Sequence, residues 1–504
     1  MPFNFELKNA DLFNDLQPLA GMQIREERAE CRQLSVLDSV DWSIWLSGRV
    51  LIEIGSQRLE LITDNDTCQA SAEVTRIPLL ARELPDPLRS ELKKLISVRA
   101  LISQFSCQWQ ERALVFLNTD EKIVVRATIY DINNSSTAGP AFLTLHPLRG
   151  YDQEARAIVK SLDPLVTATP IELSLRFLLE RCGLTPSPLK ARPEFHLEAH
   201  QPTEEAVLVM VAELLRLARQ QEEGLIADID TEFTHQYRVN LRKARSLLSL
   251  FKKELSPQRY RVVQAPLKNM AKATNRLRDL DVFLLDQDDY RAMLPAHFQP
   301  GLDELFKRLK RRRRQVWREV TATLKKEDYL ETAQQLEQRL KEPPDLSAPH
   351  SASAIKKRVS RKILSQYYKI QQHGARIDPA TSDEQVHELR IEAKKLRYLL
   401  ELFAELFSYD QVRRLVKALK KLQDNLGRFN DYSSQCLFLE SLLRGTGIKT
   451  AERDAVSGLI AVLYSKQKNE REQVVGMIAD FSGTEIAEQF QQLFAPAATK
   501  DGRS

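Results

Sequence analysis

The chain has 504 residues, 43% of them hydrophobic and 28% charged, with a formal net charge of +5. This is a globular balance with room for two or three packed cores, and it excludes a long disordered chain. No uninterrupted apolar run approaches the roughly 20 residues that cross a bilayer, so no membrane insertion is expected, and the opening residues Met1 to Lys8 lack the basic-then-apolar pattern of a secretion signal.

In chain order, the segments Arg49–Ile54, 113–117 and 122–130 carry alternating or β-branched residues and read as strands with one or both faces buried. Residues 87–101 read as a helix between strands, and Asp152–Leu162 as another. Pro186 and Pro188, just after Gly183, cannot continue a helix, because proline lacks an N–H and clashes with the preceding turn. The expected organisation is therefore a domain over 1–182, a linker over 183–195 and a second domain over 196–495. Beyond the linker, apolar residues recur at helical spacing over 204–219, 233–251, 258–277, 302–324, 329–340, 354–368, 385–407, 411–426 and 432–442. Pro343 and Pro344, followed by Ser347, Ala348 and Pro349, divide this region into halves at about 196–342 and 350–495. The fold class expected is α+β for the first domain and all-α, as two related helical bundles, for the second.

Cys31, Cys68, Cys107, Cys182 and Cys436 are dispersed and form no CxxC or Cys/His cluster. They read as reduced thiols of a cytoplasmic protein, and no metal site or cofactor is expected. Charge is uneven. Residues 1–190 hold 21 Lys/Arg against 25 Asp/Glu, and the remaining residues hold 53 against 44. The second region is thus the basic one, which favours phosphate-rich or otherwise acidic partners.

That region contains a distant internal repeat. His235, Arg238, Arg242 and Arg245 stand at offsets 0, 3, 7 and 10, and His387, Arg390, Lys394 and Arg397 repeat the pattern 152 residues later (from 235 to 387). Lys268 matches Lys420 and Asp279 matches Asp431 at the same shift. At about 100° per residue each set forms one stripe along a helix. Lys243 and Lys395 sit beside the stripes, and Leu241, Leu248, Leu389 and Leu396 can hold the opposite side in a core. Arginine offers phosphate a fixed fork of donors and lysine a flexible charge. One such contact near water contributes only about 1 kcal/mol, so a long polyanion is needed to make many of them count. The histidines would strengthen binding on mild acidification. Asp279 and Asp431 are expected to anchor arginines by salt bridges. Arg311, Arg312, Arg313 and Arg314, in a run that begins at Lys307, extend the basic surface, with Trp317 to anchor their helix. Aromatic residues do not alternate with the basic ones as a base-stacking surface requires, so nucleic acid is the less favoured ligand.

With both stripes and the downstream segments 275–279 (Asn-Arg-Leu-Arg-Asp) and 427–431 (Gly-Arg-Phe-Asn-Asp), residues 196–495 resemble the CHAD family, the conserved histidine α-helical domains. The resemblance implies paired helical bundles that bind inorganic polyphosphate. It implies contacts from His235, Arg238, Arg242, Arg245, His387, Arg390, Lys394 and Arg397. Lys243, Lys268, Lys395 and Lys420 are added as neighbouring basic positions. The first copy has Asn275 where the second has Gly427, which bears on the local loop.

Residues 1–182 resemble a divergent CYTH, or triphosphate tunnel, domain, which implies a degenerate antiparallel β barrel. Glu6 and Lys8 match a Glu-x-Glu-x-Lys start, but Asn4 replaces the first carboxylate. A strand that carries two arginines in the family reads Leu51-Ile52-Glu53-Ile54 here, and the segment 142–150 has no carboxylates. Metal-assisted phosphoryl chemistry needs clustered carboxylates and arginines, so Glu6, Lys8 and Glu73 are assigned no catalytic role. The function expected is noncatalytic binding of inorganic polyphosphate, with recruitment to polyphosphate granules and contact with granule proteins. The alternatives are a metal-dependent polyphosphate or triphosphate hydrolase and an RNA- or protein-binding scaffold.

Overall fold

The computed structural model describes residues 2–8, 18–55, 58–74, 79–133, 140–168, 173–189, 192–345, 348–378, 381–445 and 447–495. Residues 190 and 191 of the expected linker, and Ser347 of the proline-rich break, lie outside them. The chain divides into two compact units, Met1–Ala191 and Arg192–Ser504.

In the first unit, β1 (Phe3–Leu7), β2 (Gln23–Asp38), β3 (Arg49–Ile54), β4 (Arg58–Thr63), β5 (Cys68–Glu73), β6 (Leu79–Leu80), β7 (Ala100–Leu117), β8 (Ile123–Asn133), β9 (Ala141–Pro147) and β10 (Val166–Ala168) pair antiparallel throughout. The order is β10-β1-β9-β8-β7-β2-β3-β4-β5, with the short β6 beside β7. Among the described residues no pairing joins β5 to β10, so the sheet is open. Three helices cover it. Ala155, Ile158 and Leu162 of α2 (Asp152–Leu162) seal one apolar cluster with Phe5, Leu143 and Leu145. Leu88, Leu92 and Ile96 of α1 (Leu88–Ile96) close a second, and Leu178 and Leu179 of α3 (Leu175–Arg181) close a third around Trp42, Trp45 and Trp109. The helix expected over 87–101 stops at Ile96, where Ser97 adopts a positive φ of 50°, and Ala100 already belongs to β7.

The second unit is helical. Its first half holds α4 (Thr203–Arg219), α5 (Glu222–Ile226), α6 (Thr231–Leu250), α7 (Pro257–Ala273), α8 (Asn275–Leu285), α9 (Gln287–Met293), α10 (Gln299–Leu324) and α11 (Glu327–Lys341). Its second half holds α12 (Ile355–Gly374), α13 (Asp383–Leu402), α14 (Tyr409–Leu443), α15 (Thr450–Phe481) and α16 (Thr484–Phe494). The shift of 152 carries Thr231–Leu250 onto Asp383–Leu402 at both ends, and the starts of α4 and α7 onto those of α12 and α14.

The halves meet through equivalent positions. Thr203 N–H donates to Ser353 O and Ile355 N–H to Gln201 O, each at 3.0 Å, so 201 and 203 pair with their own counterparts 353 and 355 in exchanged order. The rings of Phe251 and Phe403, again equivalents, lie 5.6 Å apart. Helix α6 packs on its counterpart α13. Contacts of this self-complementary kind define a local two-fold relation, and its axis passes between α6 and α13. Among the differences between the halves, one bears on the basic stripes. Thr274 Oγ1 donates back to Ala271 O at 3.2 Å and ends α7, whereas its counterpart Leu426 is buried inside the uninterrupted α14. Gly427 therefore lies within a helix and not in the loop expected between 411–426 and 432–442.

Candidate functional site

The sequence builds α6 and α13 by the same rules. Asp230 caps α6 by accepting from Glu232 N and Phe233 N, and Ser382 caps α13 through a capping box with Gln385. Tyr237, Leu241, Ala244 and Leu248 are buried on α6, as are Leu389, Ala393, Leu396 and Leu400 on α13. Register alone then places both basic stripes beside these apolar faces, and the two-fold relation turns them toward each other.

The two stripes form one cluster. Arg242 on α6 is close enough to act on both Arg390 and Lys394 of α13, and position 394 is its own counterpart. Arg242 also lies beside Tyr398, whose phenol its charge draws down against burial. Burial, then the charges of Arg390 and Arg242, push the Lys394 ammonium down to about 8. Burial, then Arg242, lowers Arg238 to about 10, so it stays charged at neutral pH. Burial foremost also lowers Arg390 and Lys243; Glu401 opposes this at Lys243, where Arg397 adds to it. Among the described residues no carboxylate lies within ion-pair distance of Arg242, Lys243, Arg245 or Lys394. The Nε groups of Arg238, Arg245 and Arg390 are buried with no hydrogen-bond partner. Partly desolvated like charges are costly, and an anion beside them would relieve the repulsion.

The remaining expected residues fall into place around this cluster or away from it. Arg238 donates to Ala271 O at 3.1 Å, to Thr274 Oγ1 at 3.3 Å and to Asn275 Oδ1, so the break after α7 supplies its acceptors. In the second half Gln423, the counterpart of Ala271, accepts from Arg397 at 3.2 Å and donates to Ala393 O. Lys268 and Lys420, one turn before those positions, are exposed. His387 Nδ1 lies 2.6 Å from Asn430 Oδ1, which assigns the Nδ1 proton, and His235 is half-buried on α6. Asp431 stands 3.7 Å from Arg390, whereas Asp279 makes no ion pair among the described residues. Burial raises the Asp279 carboxyl, against the pull of Arg238 and Arg278.

Three residues depart from the expected face. Lys395 turns back to Glu392 on its own helix at 2.7 Å. Arg397 is held by Glu401 at 2.6 Å, which takes up part of its charge. Arg313 does not belong to the outer surface of α10: its guanidinium bridges Asp228 at 2.6 Å and buried Asp281 at 2.7 Å. Arg311, Arg312 and Arg314 are exposed. Arg278 was missed by the reading of the sequence. It acts on Arg238 and is acted on by Arg242, but its counterpart is Asn430, so the repeat gives it no signal.

In the first unit Glu6 is ion-paired with Arg181 of α3, and Lys8 Nζ donates to Pro164 O at 2.9 Å. Glu73 ends β5 in an exposed position. Three arginines of the sheet face carboxylates: Arg32 meets Glu111 at 3.4 Å, Arg112 meets Glu26 at 2.9 Å and Arg126 meets Glu27 at 2.7 Å.

A duplicated helical unit with basic residues gathered on its local two-fold axis defines the class of this protein's larger part. Residues 209–440 match the family model described as CHAD domain, and the chain contains a CHAD domain over that span. Among solved structures the chain is similar to the crystal structure of the CHAD domain from the plant Ricinus communis, at 22% identity and a TM-score of 0.48, covering 59% of this chain and 97% of that one. It is also similar to PptA from Streptomyces chartreusis, at 15% identity and a TM-score of 0.40, covering 55% of this chain and 96% of that one. No curated protein matches the chain. No described helix is long and apolar enough to cross a membrane.

Proposed function

We propose that the α6–α13 face binds inorganic polyphosphate without turning it over, and that this recruits the protein to polyphosphate granules in the cytoplasm and to the proteins found there. The observation that carries the reading is the approach of Arg242 to its counterpart Lys394 with Arg390 alongside, where among the described residues Asp431 pairs with Arg390 alone and no carboxylate lies within ion-pair distance of Arg242 or Lys394. A two-fold relation between like-charged faces is unfavourable for the empty protein. A flexible chain of phosphates along the axis meets equivalent donors from both halves.

In the same reading each half is a helical bundle, and the first unit is a degenerate relative of the triphosphate tunnel barrel that serves folding, docking or targeting. The pairing of Glu6 with Arg181 and of the sheet arginines with glutamates supports this, since paired charges are withdrawn from phosphate and metal chemistry.

The test is a matched binding panel at fixed ionic strength, with polyphosphates of several lengths, RNA, nucleotides and heparin. Selective, length-dependent polyphosphate binding is expected to weaken about tenfold or more in Arg238→Ala/Arg242→Ala and in Arg390→Ala/Lys394→Ala. The loss should be greatest when all four are combined. Equal affinity for RNA would overturn the ligand, and unchanged affinity in the variants would overturn the site.

A further inference from the structure

We infer that the cavity between α10 and the start of α15 is a second anion site, built for a compact inorganic oligophosphate such as triphosphate. The cavity, about 630 Å³, is lined by Lys307, Arg308, Lys310, Arg311, Arg314 and Lys449, with Glu304 and Glu452 the acidic members. The inference stands on these residues and does not rest on the α6–α13 reading.

The carboxylates organise the cavity more than they neutralise it. Buried Glu452 accepts from Arg308 at 2.8 Å, and the same guanidinium donates to Gly447 O at 2.9 Å. Arg308 thereby fixes the turn before α15, where Gly447 takes a φ of 80°. Glu304 is shared between Lys449 at 2.9 Å and Lys307 at 3.3 Å. Those two lysines, hydrogen-bonded and charged, hold its carboxyl below the usual range. Among the described residues Lys310, Arg311 and Arg314 have no ion-pair partner. The start of α15 at this cavity has no side-chain cap, and Glu452 of its first turn is taken up by Arg308.

Geometry separates this cavity from the axial cluster. On α10 the residues Leu302, Leu305, Leu309 and Val316 are buried, and Arg313 on the same arc reaches Asp281 of α8, the helix that also carries Arg278. At about 100° per residue, Lys307, Lys310, Arg311 and Arg314 fall on the opposite arc. The repeat copies one of the four at most: the counterparts of Lys307, Lys310 and Arg311 are Leu459, Val462 and Leu463, and only Arg314 falls on a basic residue, Lys466. This cluster is therefore a feature of one half alone, unlike the axial stripes.

The lining also selects the ligand. Four or more cations around a small volume suit an ion with several charges packed closely, and guanidinium forks match phosphoryl oxygens. None of the lining residues is aromatic, so nothing there would stack on a base. The shape favours a bare oligophosphate over a nucleotide.

The test starts from the full chain carrying Arg238→Ala/Arg242→Ala/Arg390→Ala/Lys394→Ala, which removes the cations at the centre of the axial cluster. Titrated with sodium tripolyphosphate in a calorimeter, it is expected to keep a one-to-one binding event. Adding Arg311→Glu/Arg314→Glu should weaken that event about tenfold or more. ATP should bind no tighter than tripolyphosphate. In the unaltered protein, tripolyphosphate should slow amine-reactive labelling of Lys310 and Lys449, a readout that needs no variant to fold. Absence of the residual event, indifference to the charge reversals, tighter binding of ATP or unprotected lysines would each overturn the site. Failure of the axial reading shows separately, as long-chain polyphosphate affinity that Arg242→Ala/Lys394→Ala leaves untouched.

Discussion

Lys394 is the residue at which burial and like charge meet, and the one where the proposed ligand would be felt most. Its ammonium is pushed down to about 8 from an ordinary 10.5, first by burial and then by Arg390 and Arg242. Between those two values the folded protein binds fewer protons than the unfolded chain, so the stability of the empty protein rises with pH across that window and is diminished below it. A bound polyanion reverses the balance by favouring the charged form. Polyphosphate affinity is therefore expected to fall about fivefold between about pH 7 and pH 9, with proton uptake on binding. Lys394→Arg, whose charge persists, should flatten that profile. Lys394→Met should weaken binding yet stabilise the empty protein by about 1 kcal/mol near neutral pH, read from urea midpoints at matched ionic strength. An affinity that does not change with pH would show that Lys394 does not touch the ligand. The stripe containing Lys394 was legible in the sequence because spacing and repeat both marked it. The fate of its neighbours was not. Lys395 and Arg313 stand in the same kind of basic run as Lys394, and only the folded positions of Glu392, Asp228 and Asp281 show that their charges are paired within the protein.

At the scale of elements, legibility followed amphipathicity. Helices α4, α6, α10 and α11 were readable because each has one apolar face. Helix α15 was not, since buried Val456, Leu459, Leu463, Gln467 and Val474 are mixed with polar residues and the charged run around Lys468 and Glu470 hides the period. Strand β2 was missed for a related reason: Arg25, Glu26, Glu27 and Arg28 look like a solvated segment, and only pairing with β7 gives Glu26 its partner Arg112. Gly427 looked like a break because an isolated glycine lowers any helix reading, yet Leu426 and Phe429 are buried on either side and carry α14 through. Two glycines make this testable. A Cβ at Gly427 would meet nothing within 4 Å, so Gly427→Ala should stabilise the protein by about 1 kcal/mol. A Cβ at Gly301 would stand 2.0 Å from Ala451 O and 2.7 Å from Ala455 Cβ, where α10 crosses α15. Gly301→Ala should cost about 1–3 kcal/mol. Urea denaturation of the pair reads both signs, and a stabilising Gly301→Ala would show that the α10–α15 crossing is not close-packed.

For the whole molecule the question is how two units of opposite charge character divide the work. The first 190 residues carry more acid than base and the rest more base than acid, and Arg32, Arg112 and Arg126 of the sheet already face glutamates. A long polyanion gains affinity by releasing counterions in proportion to the charges it contacts, so the unit that binds it should be the one with unpaired cations, which is the helical one. Removing residues 1–191 is therefore expected to leave polyphosphate affinity within about twofold. Residues 1–191 alone should neither bind it measurably nor hydrolyse triphosphate with divalent metal. The salt dependence gives the same answer in another form. If about six cations on the axis engage phosphate, the logarithm of the association constant should fall with the logarithm of salt at a slope of about −4. Arg242→Ala/Lys394→Ala should make that slope shallower by about 1.4, whereas Glu6→Gln should leave it alone. A slope that depends on the first unit, or metal-dependent hydrolysis that Glu6→Gln abolishes, would move the chemistry from the helices to the sheet.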